Sequence, residues 1–152
     1  MPSLPVLVRR ATPADATRVA ALVDLFVPSG TLLPRAEAFV AAHAPDFLVA
    51  EQAGRIIGCV HLEEYAPSLA EVRSLAVDPA AQAGGVGAML VQALERLART
   101  RGYATVFAVS NRDDFFLRRG YEPRHIPELD RERSAVSRFK GVFAKDLGGE
   151  GG

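Results

Sequence analysis

The sequence predicts an α+β fold, with a mixed, mostly antiparallel sheet of six to seven strands and about four helices. Three observations predict it. Residues 47–51 (FLVAE) and 55–62 (RIIGCVHL) are two apolar runs separated by a short turn at Ala53-Gly54, the pattern of a β-hairpin. Residues 70–77 read as a further strand, which ends in a glycine-rich loop and passes directly into a long amphipathic helix. Two more strand-like runs, at 104–110 and 139–146, follow that helix.

The remaining elements follow in chain order. Residues 6–11 (VLVRRA) form the first strand. Thr12-Pro13-Ala14-Asp15 then starts a helix: Thr12 can cap, Pro13 suits the first helical position, and Asp15 stands where a capping-box acid belongs. Val19, Leu22, Val23 and Phe26 share one face of that helix, and Pro28-Ser29-Gly30 breaks it. A second helix is expected over about 34–44, with Ala38, Phe39 and Ala42 inward. After the glycine loop, Val86, Leu90, Leu94 and Leu97 form one apolar stripe, and Gly102-Tyr103 closes the helix. A short helix covers about 113–119 and ends at Gly120. Tyr121-Glu122-Pro123 begins a sixth strand. No internal repeat or interdomain linker interrupts this order, so residues 1–147 read as one domain. Residues 148–152 read as a flexible tail with nothing to bury.

Bulk properties narrow the function classes. With 152 residues the chain can bury a sizeable single core. Its formal net charge of +0 gives no support for nucleic-acid or membrane binding. No stretch approaches the roughly 20 apolar residues of a membrane span, and no targeting leader is evident. The single cysteine, Cys59, excludes an internal disulfide framework and suits a reducing cytoplasm. Its setting, Ile57-Gly58-Cys59-Val60, reads as a buried strand rather than a nucleophilic site. No metal site is expected.

The glycine loop carries the chemistry. Gln82-Ala83-Gly84-Gly85-Val86-Gly87 lies between a strand and a helix N-terminus, where unpaired amides and the helix dipole favour an anion. A Walker loop is excluded, because no Gly-Lys-Ser/Thr step is present. A dinucleotide fingerprint is excluded as well, because Leu90 occupies the position of its last glycine.

What remains resembles the Arg/Gln-x-x-Gly-x-Gly/Ala pyrophosphate loop of the GNAT acetyltransferase superfamily, and the element order resembles the GNAT fold over nearly the whole chain. The resemblance implies acetyl-CoA as acyl donor. Leu75, Ala76 and Val77 would contact the pantetheine arm through their backbone, and Gln82, Ala83, Gly84, Gly85, Val86, Gly87 and Ala88 would hold the pyrophosphate. Acetyl transfer to an amine needs a base, a donor to the thioester oxygen and a donor to the departing thiolate. Glu71 is the expected base, with Glu63 and Glu64 as weaker candidates, and the Val77 amide is an oxyanion donor by position. Many members carry a thiolate-donating tyrosine in the short helix, where this chain has Phe116. Ser110 or Asn111, or a water, must then serve, and Asn111 is also a CoA contact. Tyr121 matches an aromatic that is usually core.

A narrower resemblance concerns the acceptor. Gly30-Thr31-Leu32-Leu33-Pro34-Arg35, Glu71-Val72-Arg73-Ser74-Leu75-Ala76-Val77, Phe107-Ala108-Val109-Ser110-Asn111-Arg112 and residues 138–147 are similar to the acetyltransferase domain of bacterial N-acetylglutamate synthases. That similarity implies L-glutamate as acceptor, with Arg35 and Arg138 gripping its carboxylates and Arg73 and Arg112 nearby. The closing segment departs from that family at Lys140, where a serine is usual. The amino-acid kinase domain that accompanies many such synthases has no counterpart in the 152 residues. A homodimer is a common assembly of the superfamily. Two other readings stay open: transfer to another small amine or a protein N-terminus, and a non-catalytic acyl-CoA-binding module.

Overall fold

The computed structural model describes residues 4–129 and 141–148. Among these residues lie seven strands and four α-helices. The strands are β1 (Val6–Arg10), β2 (Phe47–Gln52), β3 (Arg55–Ala66), β4 (Leu69–Val77), β5 (Thr105–Ser110), β6 (Glu122–Pro123) and β7 (Gly141–Asp146). The helices are α1 (Ala16–Asp24), α2 (Glu37–Ala42), α3 (Val86–Thr100) and α4 (Asp113–Leu117). One mixed sheet has the order β1-β2-β3-β4-β5-β7-β6. Only β4 and β5 among the registered pairs run parallel; β1–β2, β2–β3, β5–β7 and β6–β7 are antiparallel. This is the α+β architecture expected from the sequence.

The chain divides into two compact units, residues 1–62 with 73–94 and residues 63–72 with 95–152. In the first unit, the predicted hairpin turns at Ala53 (φ 54) and Gly54 (φ 76). Two consecutive positive φ values make the primed turn whose twist matches the flanking strands. Thr12 and Asp15 form the expected capping box, in which the Thr12 amide donates to Asp15 Oδ2 at 2.8 Å. The turn Pro13–Asp15 is a 3-10 helix, and α1 proper follows it. Val19, Leu22 and Val23 are fully buried in a core that also holds Val40, Phe47, Val49, Cys59 and Ala76, with Phe26 partly buried against it.

Two helix expectations are corrected. α2 covers Glu37–Ala42, not 34–44, because Ala36 is extended (ψ 145) and His43 leaves the helical region (φ −110, ψ 20). Its inward residue is Val40, flanked by the half-buried Phe39 and Ala41, whereas Ala38 and Ala42 are exposed. α4 ends at Leu117 rather than Arg119, since the amides of Arg119 and Gly120 turn back onto Phe116 and Leu117 and Gly120 takes φ 88.

In the second unit, Leu69, Phe107, Ile126, Leu129 and Ala144 form a separate apolar cluster. The parallel register runs from Leu69↔Thr105 to Glu71↔Phe107. β5 pairs on its other edge with β7 along its whole length, from Thr105↔Asp146 to Ser110↔Gly141. Residues 130–140, including Arg138, and the tail from 149 lie outside the described residues.

Candidate active site

The donor loop begins where β4 ends. The Asp78 amide donates to Ile57 O at 2.8 Å, and its carboxylate turns inward as a cap, with Oδ1 accepting from the Ala80 amide at 3.0 Å. Arg18 donates through Nη2 to Asp78 Oδ2 at 3.1 Å and through Nε to Ile56 O at 3.0 Å. Arg55 stands 3.6 Å from the same carboxylate oxygen. The Ala80 amide, before the arginines, holds the Asp78 carboxyl below the usual carboxylate range. The loop Pro79–Gly84 is a 3-10 helix fixed at its start by this cluster.

Gly85 then takes φ 74, a backbone conformation that side-chain-bearing residues rarely adopt. A Cβ at Gly85 would meet nothing within 4 Å, so the space beside this backbone is open. α3 starts at Val86, and the amides of Val86, Gly87 and Ala88 are those that a helix start leaves without an intrahelical carbonyl. Gly58 on β3 sets how close this helix comes to its strand. A Cβ there would meet Leu90 Cδ1 at 2.9 Å, Val86 Cγ1 at 3.2 Å and Ala76 O at 3.3 Å. Strand, 3-10 turn and helix start thus follow one another directly over the segment that contains residues 82–88. Just before it, Ala76 and Val77 are buried and Leu75 is half-buried.

A second cluster of the same unit surrounds His61, which is only 2% exposed. Its ring stacks on Phe47 with centroids 4.3 Å apart, and Phe39 meets it edge-on at 5.7 Å. Burial, then the charge of Arg35, pushes the imidazole pKa down to about 3; Arg73 adds to the shift and Asp46 opposes it. Arg35 is half-buried, with its Cζ 4.8 Å from the Phe39 centroid and its Nε donating to Ser74 Oγ at 3.2 Å. Two of the predicted substrate arginines thus act electrostatically on one buried imidazole. Cys59 is fully buried, with burial pushing its thiol up to about 12, which makes it a core residue as its sequence setting indicated. Sequence reading overlooked Asp78, Arg18, His61 and Ser74. Only Asp78 gave a signal, as an acid directly before the Pro79 of the loop.

The second unit holds the other expected groups. Glu71 on β4 is 2% exposed. Ser110 is half-buried, and its Oγ accepts from the Arg112 amide at 2.9 Å. Asn111 and Arg112 are exposed, and the Arg112 guanidinium lies 5.0 Å from the Phe115 centroid. Glu64 accepts from Tyr103 OH at 2.7 Å. Tyr121 belongs to the core: its hydroxyl donates to Glu95 Oε2 at 2.9 Å, and burial raises its pKa. Lys145 Nζ reaches the other oxygen of Glu95 at 3.1 Å, so the buried carboxylate is paired on both sides. Phe116 is buried beside Tyr121, with ring centroids 5.2 Å apart. Among the described residues, no His/Cys/Asp/Glu group is assembled to hold a metal, and no helix is long and apolar enough to cross a membrane.

Known proteins match this arrangement. A family model described as an acetyltransferase (GNAT) domain matches residues 43–123, more than half of the chain. An uncharacterised N-acetyltransferase of Chlorobaculum tepidum is 34% identical over 131 residues, 84% of each chain. An amino-acid acetyltransferase of Neisseria meningitidis is 33% identical over 138 residues, which are 90% of this chain and 32% of that one. Among solved structures, N-acetylglutamate synthase from Neisseria gonorrhoeae, complexed with coenzyme A and N-acetyl-glutamate, matches with a TM-score of 0.86 at 29% identity, covering 97% of this chain and 36% of that one. The chain thus spans about a third of the length of the latter two proteins. It belongs to the GNAT family and is an acetyl-CoA-dependent N-acetyltransferase.

Proposed function

We propose that this protein transfers the acetyl group of acetyl-CoA to the α-amino group of L-glutamate, giving N-acetylglutamate for arginine synthesis. The observation that supports the reading is the placement of Arg35, with its guanidinium 4.8 Å from the Phe39 centroid and its Nε donating to Ser74 on β4, the strand that also carries Arg73. Two guanidiniums suit an acceptor with two carboxylates, since arginine binds each through paired hydrogen bonds. Arg138 and Arg112 are further carboxylate partners in this reading. The names of the relatives, amino-acid acetyltransferase and N-acetylglutamate synthase, support the same class of acceptor.

The chain's residues divide the chemistry as follows. The loop amides from Gln82 to Ala88 bind the pyrophosphate, and the backbone of Leu75, Ala76 and Val77 aligns the pantetheine arm. Glu71, directly or through a water, takes a proton from the ammonium so that the amine lone pair can attack the thioester carbonyl carbon. The Val77 amide donates to the oxygen that gains charge. As the C–S bond breaks, the thiolate takes a proton from Ser110, Asn111 or water. The Ser110 hydroxyl acts as acceptor in its bond to the Arg112 amide, so its own hydrogen is available for another partner. The buried Cys59 suits a cytoplasmic setting, and a homodimer is the assembly this reading expects.

Release of CoA thiol across a panel of amino acids, polyamines and peptide N-termini tests this reading. Glutamate is expected to give the highest kcat/KM. A higher value for an uncharged amine or a peptide would replace glutamate by that acceptor. CoA binding without turnover on any amine would favour a non-catalytic acyl-CoA module.

A further inference from the structure

From α1, Arg18 reaches the start of the donor loop. Val19, Leu22 and Val23 on the same helix are fully buried, so the base from which Arg18 projects is fixed. Its guanidinium makes two bonds. Nε donates to the Ile56 carbonyl on β3 at 3.0 Å, and Nη2 donates to Asp78 Oδ2, just past the end of β4, at 3.1 Å. Both donors belong to one rigid plane, so together they hold the Asp78 carboxylate at a set place relative to β3.

Asp78 passes this constraint on. Its amide donates to Ile57 O at 2.8 Å, its carbonyl accepts from the Ala81 amide at 2.8 Å, and its Oδ1 accepts from the Ala80 amide at 3.0 Å. Two loop amides thus hang on Asp78, whose own amide is tied to β3. Apolar burial does little to hold the loop itself, since Pro79, Ala80, Gly84 and Gly85 are exposed. Its far end is held by packing: Val86 and Leu90 are buried beside Gly58. The course of the backbone between these ends depends on where Asp78 stands. A ligand received by several backbone amides binds more tightly when they are in place beforehand, because ordering them on binding costs affinity.

We infer that Arg18 is a positioning residue for the acyl donor: through Asp78 it presets the loop whose amides receive the pyrophosphate of acetyl-CoA. This role rests on the pyrophosphate reading of residues 82–88 given above. Arg55 lies 3.6 Å from the same Asp78 oxygen, but its side chain is 70% exposed and its charge adds less.

The test is a double-mutant cycle on the full chain with Arg18→Ala, Arg18→Lys, Asp78→Ala and the Arg18→Ala/Asp78→Ala pair. Two donors are compared: acetyl-CoA, and S-acetylpantetheine, which carries the same thioester without a pyrophosphate. The acceptor is whichever amine gives the wild type its highest kcat/KM, so the result does not depend on the glutamate reading. Loss of a hydrogen bond to a charged group is expected to lower kcat/KM for acetyl-CoA about tenfold in Arg18→Ala, through KM and not kcat. With S-acetylpantetheine kcat/KM should stay within about twofold. Arg18→Lys keeps the charge but not the planar two-point grip, and should show a smaller loss with the same donor dependence. It also carries the test if Arg18→Ala folds poorly. In the Asp78→Ala background, Arg18→Ala should add less than about twofold. Equal losses with both donors would overturn the proposal, as would equal proportional effects of Arg18→Ala with and without Asp78, or an unchanged kcat/KM for acetyl-CoA. A wild type that uses both donors equally well would instead overturn the pyrophosphate reading on which the proposal rests.

Discussion

Protonation of His61 offers a sharp test of the packing beside Arg35 and Arg73. The imidazole is buried between aromatic rings, and its pKa falls to about 3 in the folded chain, because of burial first and the Arg35 charge second. In the unfolded chain its pKa is about 6.5. The folded value is depressed, so the unfolded state binds more protons between these values. Stability contributed by neutral His61 is therefore complete above about pH 6.5 and is lost as pH falls toward 3. Each pH unit well inside that window costs about 1.4 kcal/mol, so lowering pH from 7 to 5 costs about 2 kcal/mol from this one residue. The carboxylates held low by hydrogen bonds, such as Asp15, Asp78 and Asp146, begin to titrate only below that range. Urea unfolding at pH 7, 6 and 5 measures the slope, and the same series on His61→Phe supplies the control. The difference between the two proteins should change by about 2 kcal/mol over this interval. A difference that stays constant with pH would refute a buried, neutral His61.

Three further outcomes are expected. Asp78→Ala removes the cap on Ala80 and the Arg18 partner, and should raise the acetyl-CoA KM about three- to thirtyfold while leaving the glutamate KM unchanged in the same steady-state assay. Gly58→Ala drives a methyl group into Leu90, Val86 and the Ala76 carbonyl; a loss of about 1–3 kcal/mol should appear as a lower calorimetric melting temperature. Glu71→Gln should lower kcat by about a hundredfold or more while CoA affinity, measured by titration calorimetry, stays unchanged.

Features that depend on local chemistry were legible in the sequence. The Ala53-Gly54 turn, the Thr12–Asp15 box and the Val86-Leu90-Leu94-Leu97 stripe each follow from neighbouring residues, and each is present. The glycine loop was legible for the same reason, since Gly85 supplies the positive φ that the strand-to-helix turn requires. What escaped the sequence depends on partners far along the chain. The start of α2 is delayed to Glu37 because Ala36 is extended, and periodicity within 34–44 carries no trace of that conformation. The left-handed φ of Ser74 has no glycine or asparagine to announce it. His61 reads as an ordinary strand residue, yet β3 is buried continuously from Ile56 to Leu62, so the face to which alternation assigns it carries no information. The Asp78–Arg18 clamp pairs residues 60 apart and was equally hidden.

The most direct measurement of the central claim is competitive product analysis. Purified protein is given limiting acetyl-CoA and an equimolar mixture of the twenty amino acids with a short peptide, and the acetylated products are quantified by mass spectrometry. N-acetylglutamate is expected to dominate, and to lose its lead when Arg35 is replaced by alanine. Predominance of a different acetylated amine, with N-acetylglutamate at background, would contradict the account.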